Sequence, residues 1–296
     1  MNALAGLSEG PALPEFDRRA SVPELTRALR EQGGAVVRGL ANETTVQGVD
    51  DELRPYLAAT PHSQGRFTGY QTRRTARLVA KSPTCRELVA HPLILGAAAE
   101  LFADACYDFQ LASTSAIQID PGQPAQSLHR DDGVYPLRHP GPASVLVAIW
   151  AIDAFGADNG ATRVVSGSHR WDDERKPADH EGRSVTMPRG SLLLFDGALF
   201  HGGGENRSDR SRLACLFGYT LGWLRQLENQ YLAVPPALAR TLPTALQRLV
   251  GYRSHGFLGS FENQDPAVAL RDDVPDVLPS HDLFTAELEA RPLRRR

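Results

Sequence analysis

The chain has 296 residues, of which 42% are hydrophobic and 23% are charged, and its formal net charge is -3. These values are typical of a globular protein, and a near-neutral balance disfavours a dedicated nucleic-acid binder, which usually carries a basic face. The longest wholly apolar run, residues 145–152, is far short of the roughly 20 residues that span a bilayer, so we expect no membrane partner.

The amino terminus, MNALAGLSEG, lacks the cationic start and the sustained apolar stretch of a secretory signal. The three cysteines, Cys85, Cys106 and Cys215, are widely spaced and form no CxxC pair. An odd number of such cysteines fits reduced thiols better than a disulfide framework. The sequence therefore predicts a cytoplasmic protein.

The first third of the chain is predicted to be mostly helical. Ser21 followed by Glu24 is a capping-box pattern that opens a helix over SVPELTRALREQ, and the glycine pair at 33–34 ends that helix. AVVRGL then has the pattern of a short strand, and TVQGVDDELRPYLAA that of a second helix. Two more helices are predicted between residues 75 and 105, where prolines interrupt the pattern.

The middle of the chain changes to extended patterns. The candidate strands are short, rich in β-branched or aromatic residues, and bounded by Gly, Pro, Asn or Asp. They cover residues 107–120, 143–154, 161–166, 184–188, 191–196 and 212–222. Strands at this spacing favour an antiparallel sandwich or barrel, and the chain has no Gly-rich phosphate turn of a doubly wound sheet.

A helical pattern returns at residues 235–252, and the order of helices, strands and helix predicts an α+β fold. We expect one domain over residues 1–296. It would comprise a helical support at about 20–105, a β core at about 107–222 and a helical segment at about 235–285. That last segment could pack on its own core or on a partner, and a homodimer is the predicted state.

The stretch QSLHRDDGVYP contains a candidate metal-binding pair. His129 and Asp131 are two residues apart, and in an extended segment such residues point to the same face, whereas Asp132 points away. His201, in DGALFHGGGENRSDRSR, follows a predicted strand and precedes three glycines that leave room beside its ring. Two His and one carboxylate with open positions opposite are typical of a non-haem Fe(II) oxygenase, whereas a structural zinc site is closed by four protein ligands.

Arg212 follows the third candidate ligand by eleven positions and opens the last predicted strand, which we expect to return antiparallel to the strand bearing His201. A guanidinium there can grip a carboxylate with two parallel hydrogen bonds. The distal carboxylate of 2-oxoglutarate would fit that fork. The alternative is a surface arginine of a polar turn, like Arg207 and Arg210 nearby.

Three segments in this order, QSLHRDDG, DNGATRVVSGSHRW and HGGGENRSDRSRLA, resemble the phytanoyl-CoA dioxygenase family of Fe(II)/2-oxoglutarate-dependent oxygenases. The resemblance spans residues 25–225. It implies a double-stranded β-helix, or jelly roll, flanked by helices, which agrees with the strand spacing. The chain departs from the family pattern at Ser166, where relatives often have Pro. The difference affects the rigidity of the loop rather than the chemistry of the site.

The resemblance implies the iron ligands His129, Asp131 and His201, and it places the cosubstrate arginine at Arg212. It also suggests Gln126 and Thr162 as residues that bind the cosubstrate, although either could serve its own loop or turn. The implied cofactors are Fe(II), 2-oxoglutarate and O₂. Because the carboxylate ligand is present, halogenation is disfavoured.

The expected reaction is oxidation, chiefly hydroxylation, of an unactivated C–H bond in a small and fairly apolar molecule of natural-product type. Candidate pocket residues are Phe67 and Tyr70, in a loop that could cover the site, and Trp150 on a predicted strand; all three could simply be packed. His62 in the same loop stays open, and His169 is expected to be structural. Arg73, Arg74 and Arg77 are the nearest candidates for a coenzyme A phosphate site, or else a solvated helix face.

Two other classes of protein remain open. A cupin-like metal-dependent isomerase or hydrolase would use the triad without 2-oxoglutarate, and its activity would survive replacement of Arg212 by Ala. A non-catalytic interaction protein with a relic metal site would keep its role without His129 and Asp131.

Overall fold

The computed structural model describes residues 12–283, which form two facing β-sheets with helices on one side. The helices are α1 (Val22–Gln32), α2 (Glu43–Ala59), α3 (Leu78–Lys81), α4 (Pro83–Val89), α5 (Pro92–Phe102), α6 (Gln230–Ala233), α7 (Pro236–Ala239) and α8 (Thr244–Leu249). The strands are β1 (Glu15–Phe16), β2 (Gly34–Val37), β3 (Thr72–Ala76), β4 (Phe109–Ile119), β5 (Val145–Ala151), β6 (Thr162–Val164), β7 (Arg183–Ser184), β8 (Leu192–Asp196), β9 (His201–Gly203) and β10 (Arg212–Leu221).

The major sheet has seven strands in the order β1-β2-β8-β5-β10-β4-β3, and only the β1–β2 pair is parallel. The minor sheet has three strands in the order β7-β6-β9. Neighbouring strands such as β2 and β8 are far apart in sequence, as expected for a jelly roll, in which consecutive strands of the chain alternate between distant positions. The arrangement confirms the predicted α+β class with a jelly-roll core.

Two apolar cores lie on opposite faces of the major sheet. The helix-side core packs α1, α2, α4 and α5 against the outward side chains of the sheet, among them Trp150, Phe217 and Tyr219. The smaller inter-sheet core joins inward side chains such as Val147 and Phe195 to the minor sheet. Because successive side chains of a strand alternate between faces, each central strand contributes to both cores.

Local signals account for several element boundaries. The main-chain N–H of Ser21 donates to Glu24 Oε2 at 2.9 Å, so the predicted capping box begins α1, and Gly33 ends the helix with a left-handed φ of 82°. Pro83 and Pro92 each occupy the first position of a helix, where the missing N–H costs nothing. The prolines therefore start α4 and α5.

Three expectations about the fold are corrected. A helix was expected to begin at about residue 75, but residues 75–76 belong to strand β3, which pairs with β4 along five residues. The expected helical segment at 235–285 contains only α7, α8 and a 3-10 turn at Pro266–Leu270 within the described residues. β10 pairs with β4 and β5 in the major sheet, and not with the strand that bears His201. In residues 12–283, no helix combines the length and apolar character needed to cross a bilayer.

Candidate active site

Two histidines are held side by side by main-chain pairing between distant segments. His129 and His201 form an antiparallel bridge in which each main-chain N–H donates to the other's carbonyl, at 2.8 Å and 2.9 Å. His201 begins β9, so the bridge adds the segment at 129 to the edge of the minor sheet. Directly opposed residues share a face, and the two imidazole centroids lie 4.4 Å apart.

Asp131 completes the cluster from the first position of a 3-10 turn. Its main-chain N–H donates to the carbonyl of Gly197 at 2.9 Å, just after β8. Its carboxylate oxygens lie 3.5 Å from Nε2 of His129 and 3.5 Å from Nε2 of His201. Within the described residues, these three side chains are the only group of His, Cys, Asp and Glu arranged to hold a metal ion, with donor atoms all within 4.8 Å of one another.

The ring nitrogens that face away from the cluster orient both imidazoles. Nδ1 of His129 lies 2.9 Å from the carbonyl of Ser127, and Nδ1 of His201 lies 3.0 Å from that of Leu199. A carbonyl can only accept, so each Nδ1 donates and each Nε2 presents its lone pair to the cluster. Burial lowers the pKa of His201 and favours the neutral, metal-binding imidazole. Burial opposes ionisation of Asp131, but the two histidines and a nearby arginine leave its pKa below the ordinary value.

Arg212 is a buried cation at the start of β10, with 3% of its surface exposed. Its Nη2 donates to the carbonyl of Gly160, and its guanidinium carbon lies 4.1 Å from the centroid of the Phe155 ring. Its Nε has no hydrogen-bond partner among the described residues. Burial lowers the pKa of Arg212 to about 9. A desolvated guanidinium with a spare N–H is suited to an anionic ligand.

Arg74 on β3 brings a second guanidinium to the same pocket. Burial lowers its pKa, and the charge of Asp131 partly offsets that effect. The three arginines considered for a coenzyme A phosphate do not form a cluster. Arg73 donates to the carbonyl of Thr60 at 2.9 Å, and Arg77 directly precedes α3 as its N-terminal cap residue. Because successive residues of a strand point to opposite faces, Arg73 and Arg74 lie on different faces of β3. The sequence alone did not distinguish Arg74 from the other two arginines.

The triad and both arginines line one pocket of about 130 Å³ between the two sheets. The wall formed by the major sheet is apolar. It consists of Ile117, Ile119, Ile149, Ala214 and Leu216. These side chains occupy alternate positions on β4, β5 and β10, so one face of the sheet supplies both the buried charge of Arg212 and the apolar surface beside it.

Gln126 and Thr162, which the resemblance suggested as cosubstrate-binding residues, also line this pocket. Gln126 Oε1 accepts from the main-chain N–H of Gly203 at 3.1 Å, and its Nε2 donates to the carbonyl of Phe67 at 3.0 Å. Thr162 is buried on β6 opposite Gly203. The amide of Gln126 therefore links its own loop to β9, the strand that begins at His201.

The three residues predicted to line a substrate pocket lie in different places. The Phe67 ring lines the pocket, with its centroid 4.8 Å from that of His129. Tyr70 is 59% exposed and is not among the lining residues. The prediction for Trp150 is wrong. Its position on β5 faces outward, so it lies in the helix-side core, and its ring centroid is 5.7 Å from that of His91. It does not contribute to the pocket wall.

Other polar residues considered from the sequence lie outside the metal-binding group. His62 Nε2 is 2.8 Å from Asp120 Oδ2, and His169 Nε2 is 3.1 Å from a main-chain carbonyl at the end of α1. Asp132 is buried and pairs with His139, at 3.0 Å from its Nε2. No sequence pattern indicated this last contact, because His139 lies beside a proline in a loop and the fold turns its ring towards Asp132.

Comparison with known proteins agrees with this geometry. The model of the phytanoyl-CoA dioxygenase (PhyH) family matches residues 29–214. The chain belongs to the phytanoyl-CoA dioxygenase family. It is 34% identical to the dioxygenase aneA of Aspergillus aculeatus over 248 residues, which cover 78% of this chain and 83% of that protein. The family predicted from the three sequence segments is therefore confirmed, and the protein is an oxidoreductase of the dioxygenase class.

Solved structures share the fold at low identity. The α-ketoglutarate-dependent carbocyclase SnoK of nogalamycin biosynthesis is 22% identical, with a TM-score of 0.58 over 79% of this chain and 94% of its own. HygX of Streptomyces hygroscopicus, with nickel, 2-oxoglutarate and hygromycin B bound, is 18% identical, with a TM-score of 0.53 over 69% of this chain and 88% of its own. Membership of the phytanoyl-CoA dioxygenase family, together with the His-Asp-His cluster, confirms the expected iron and 2-oxoglutarate cofactors and O₂.

Proposed function

We propose that the protein is a dioxygenase in which His129, Asp131 and His201 hold Fe(II) on one face. The observation that carries the proposal is the convergence of two imidazoles and one carboxylate, with no fourth protein donor in that group among the described residues. Three protein ligands leave positions for a chelating cosubstrate and O₂. When bound, this combination supplies the oxidising power for an unactivated C–H bond, with succinate and CO₂ as co-products.

The distal carboxylate of 2-oxoglutarate is assigned to Arg212. The support is that Arg212 is buried, keeps an unpaired Nε, and lines the same pocket as the triad. Gln126 and Thr162 are assigned to hold the rest of the cosubstrate, since both line the pocket. Arg74 adds a positive charge on the side of Asp131, which favours a dianionic ligand between the two arginines.

The substrate is proposed to be a small and fairly apolar natural product. The isoleucine and leucine side chains of the pocket wall support this assignment, since they bury apolar surface without offering polar partners. Hydroxylation is the proposed outcome, although relatives of this fold include the carbocyclase SnoK. The proposal includes a cytoplasmic location, a homodimer, and no nucleic-acid or membrane partner.

An anaerobic titration tests the proposal. Fe(II) and then 2-oxoglutarate are added to metal-free protein while the visible spectrum is recorded. We expect a weak charge-transfer band that is absent in His129→Ala and weakened in Arg212→Ala. His62→Ala is the matched control, because it removes a half-exposed histidine that pairs with Asp120 outside the pocket.

Each negative result has a different meaning. Iron binding without the band would favour a cupin-like isomerase or hydrolase that does not use 2-oxoglutarate. Absence of iron binding would reject the triad itself. If the band forms, release of succinate in the presence of candidate compounds identifies the substrate class.

A further inference from the structure

The two residues that flank Asp131 in sequence both direct buried polar side chains away from the triad. The Arg130 side chain is 5% exposed, and the Asp132 side chain is also 5% exposed. Arg130 donates through Nε to the carbonyl of Ala198 at 2.9 Å and through Nη2 to that of Trp171 at 2.8 Å. Buried charged side chains are stable only when they are paired and hydrogen-bonded. The partners of Arg130 and Asp132 are therefore needed to keep both side chains buried.

His139 lies at the centre of these surroundings. Its side chain is 7% exposed, and its Nε2 is 3.0 Å from both carboxylate oxygens of Asp132. Its Nδ1 is 2.7 Å from Asp173 Oδ1, and its main-chain N–H donates to Asp173 Oδ2 at 3.0 Å. Both ring nitrogens therefore face carboxylates, and the imidazole is fixed from two sides.

Asp173 also closes the network back to the triad. Its Oδ1 lies 3.5 Å from Nη1 of Arg130, so a closed ring of contacts runs from Arg130 through Asp131 and Asp132 to His139 and Asp173. The ring includes Asp131 through its main chain alone. None of its other members lines the pocket. Because the residues on both sides of Asp131 are held in place, the main chain at Asp131 cannot rotate freely, and the orientation of its carboxylate is restricted.

We propose that His139 is a positioning residue that fixes the main chain at Asp131 and thereby sets the iron affinity of the triad. The inference rests on the proposed iron site. Groups that orient a metal ligand are known to control metal affinity, typically by about 10–100-fold. Here the orientation acts on the main chain, because the Asp131 carboxylate itself is left to the metal and the two histidines.

The experiment measures Fe(II) dissociation constants by anaerobic calorimetry on full-length wild type, His139→Ala, His139→Gln and Asp173→Ala, with melting temperatures of the metal-free proteins. We expect His139→Ala to weaken Fe(II) binding by about 10–100-fold, and His139→Gln, which keeps one donor, to weaken it less. Asp173→Ala opens the ring at a half-exposed position and should give an intermediate loss. The absorption spectrum of Co(II)-loaded protein should change in His139→Ala.

His62→Ala is the control, since it also removes an imidazole–carboxylate pair, but neither His62 nor Asp120 lines the pocket. Its Fe(II) affinity should stay within about twofold of wild type. A lowered melting temperature with unchanged Fe(II) affinity in both His139→Ala and Asp173→Ala would show a purely structural role and overturn the inference. Asp173→Ala decides the matter if His139→Ala does not fold. Failure of the wild type to bind Fe(II) would overturn the proposed function and this inference with it.

Discussion

The two faces of the major sheet share every central strand and differ in chemistry. On β10, Leu213, Cys215 and Phe217 enter the helix-side core, whereas Arg212 and Leu216 line the pocket on the other face. The outward positions are fully buried and apolar, while the inward ones include a buried cation and partly exposed side chains. Stability and chemistry are thus divided by strand parity, and a shift of one residue in register would exchange them.

The largest expected effect is on the outward face. Trp150→Ala leaves a cavity in the helix-side core and should lower the free energy of unfolding by about 3–5 kcal/mol. Because Trp150 does not line the pocket, the protein that remains folded should bind Fe(II) and 2-oxoglutarate as wild type does. Chemical denaturation and anaerobic titration measure the two quantities. A large loss of iron affinity in folded protein would contradict the division between faces.

The inward face should respond in the opposite way. Arg212→Met removes the buried charge and should weaken 2-oxoglutarate binding by about 2–5 kcal/mol. The metal-free protein should be no less stable, because an apolar side chain replaces a desolvated cation that is influenced by the charge of Asp153 but forms no ion pair within the described residues.

Calorimetry on the Fe(II)-loaded protein and thermal melts of the metal-free protein check both parts of this prediction. Arg189→Met is the control, since it removes an arginine that pairs with Glu43 at 3.0 Å outside the pocket. If Arg212→Met bound 2-oxoglutarate with unchanged affinity, the prediction would be wrong, and Arg74 would be the arginine that binds the distal carboxylate.

A smaller effect is expected at Asp196, where β8 leaves the sheet. Burial raises the pKa of its carboxyl to about 7, and the charge of Asp132 adds to this effect. The folded state therefore holds a proton that the unfolded state has released, and stability is lost as pH rises towards 7. Asp196→Asn keeps the oxygen that accepts from Ala198 and removes this loss.

The advantage of Asp196→Asn over wild type should grow by about 1–3 kcal/mol between pH 5 and pH 8. Denaturant titrations of both proteins across this range measure it. A constant difference at all pH values would mean that the Asp196 carboxyl does not titrate in this range.

Local patterns predicted those parts of the molecule that short segments determine. The capping box at Ser21 and the strand at 109–119 could be identified, because each depends on nearby residues with a fixed geometric meaning. The HxD pair with His201 was also identified, although Asp131 begins a 3-10 turn rather than continuing an extended segment. Strand β3 was missed because TRRTA has no apolar alternation of its own. Its pairing with β4 decides its conformation.

Tertiary contacts explain what the sequence could not provide at the site. The two faces of β5 are both apolar, so the alternation that places Trp150 outward and Ile149 inward leaves no trace in composition. His139 contacts Asp132, seven residues earlier, and Asp173, 34 residues later. Arg74 comes near Asp131 only through the fold. No short sequence pattern indicates either arrangement.

The bridge between His129 and His201 has a consequence for the newly made protein. The two histidines are separated by about 70 residues, and a ribosome adding 5–20 residues per second needs about 4–14 s to pass from one to the other. During that interval the nascent chain contains His129 and Asp131 but not the strand that orients them. The complete three-donor group can therefore form only after translation has passed β9.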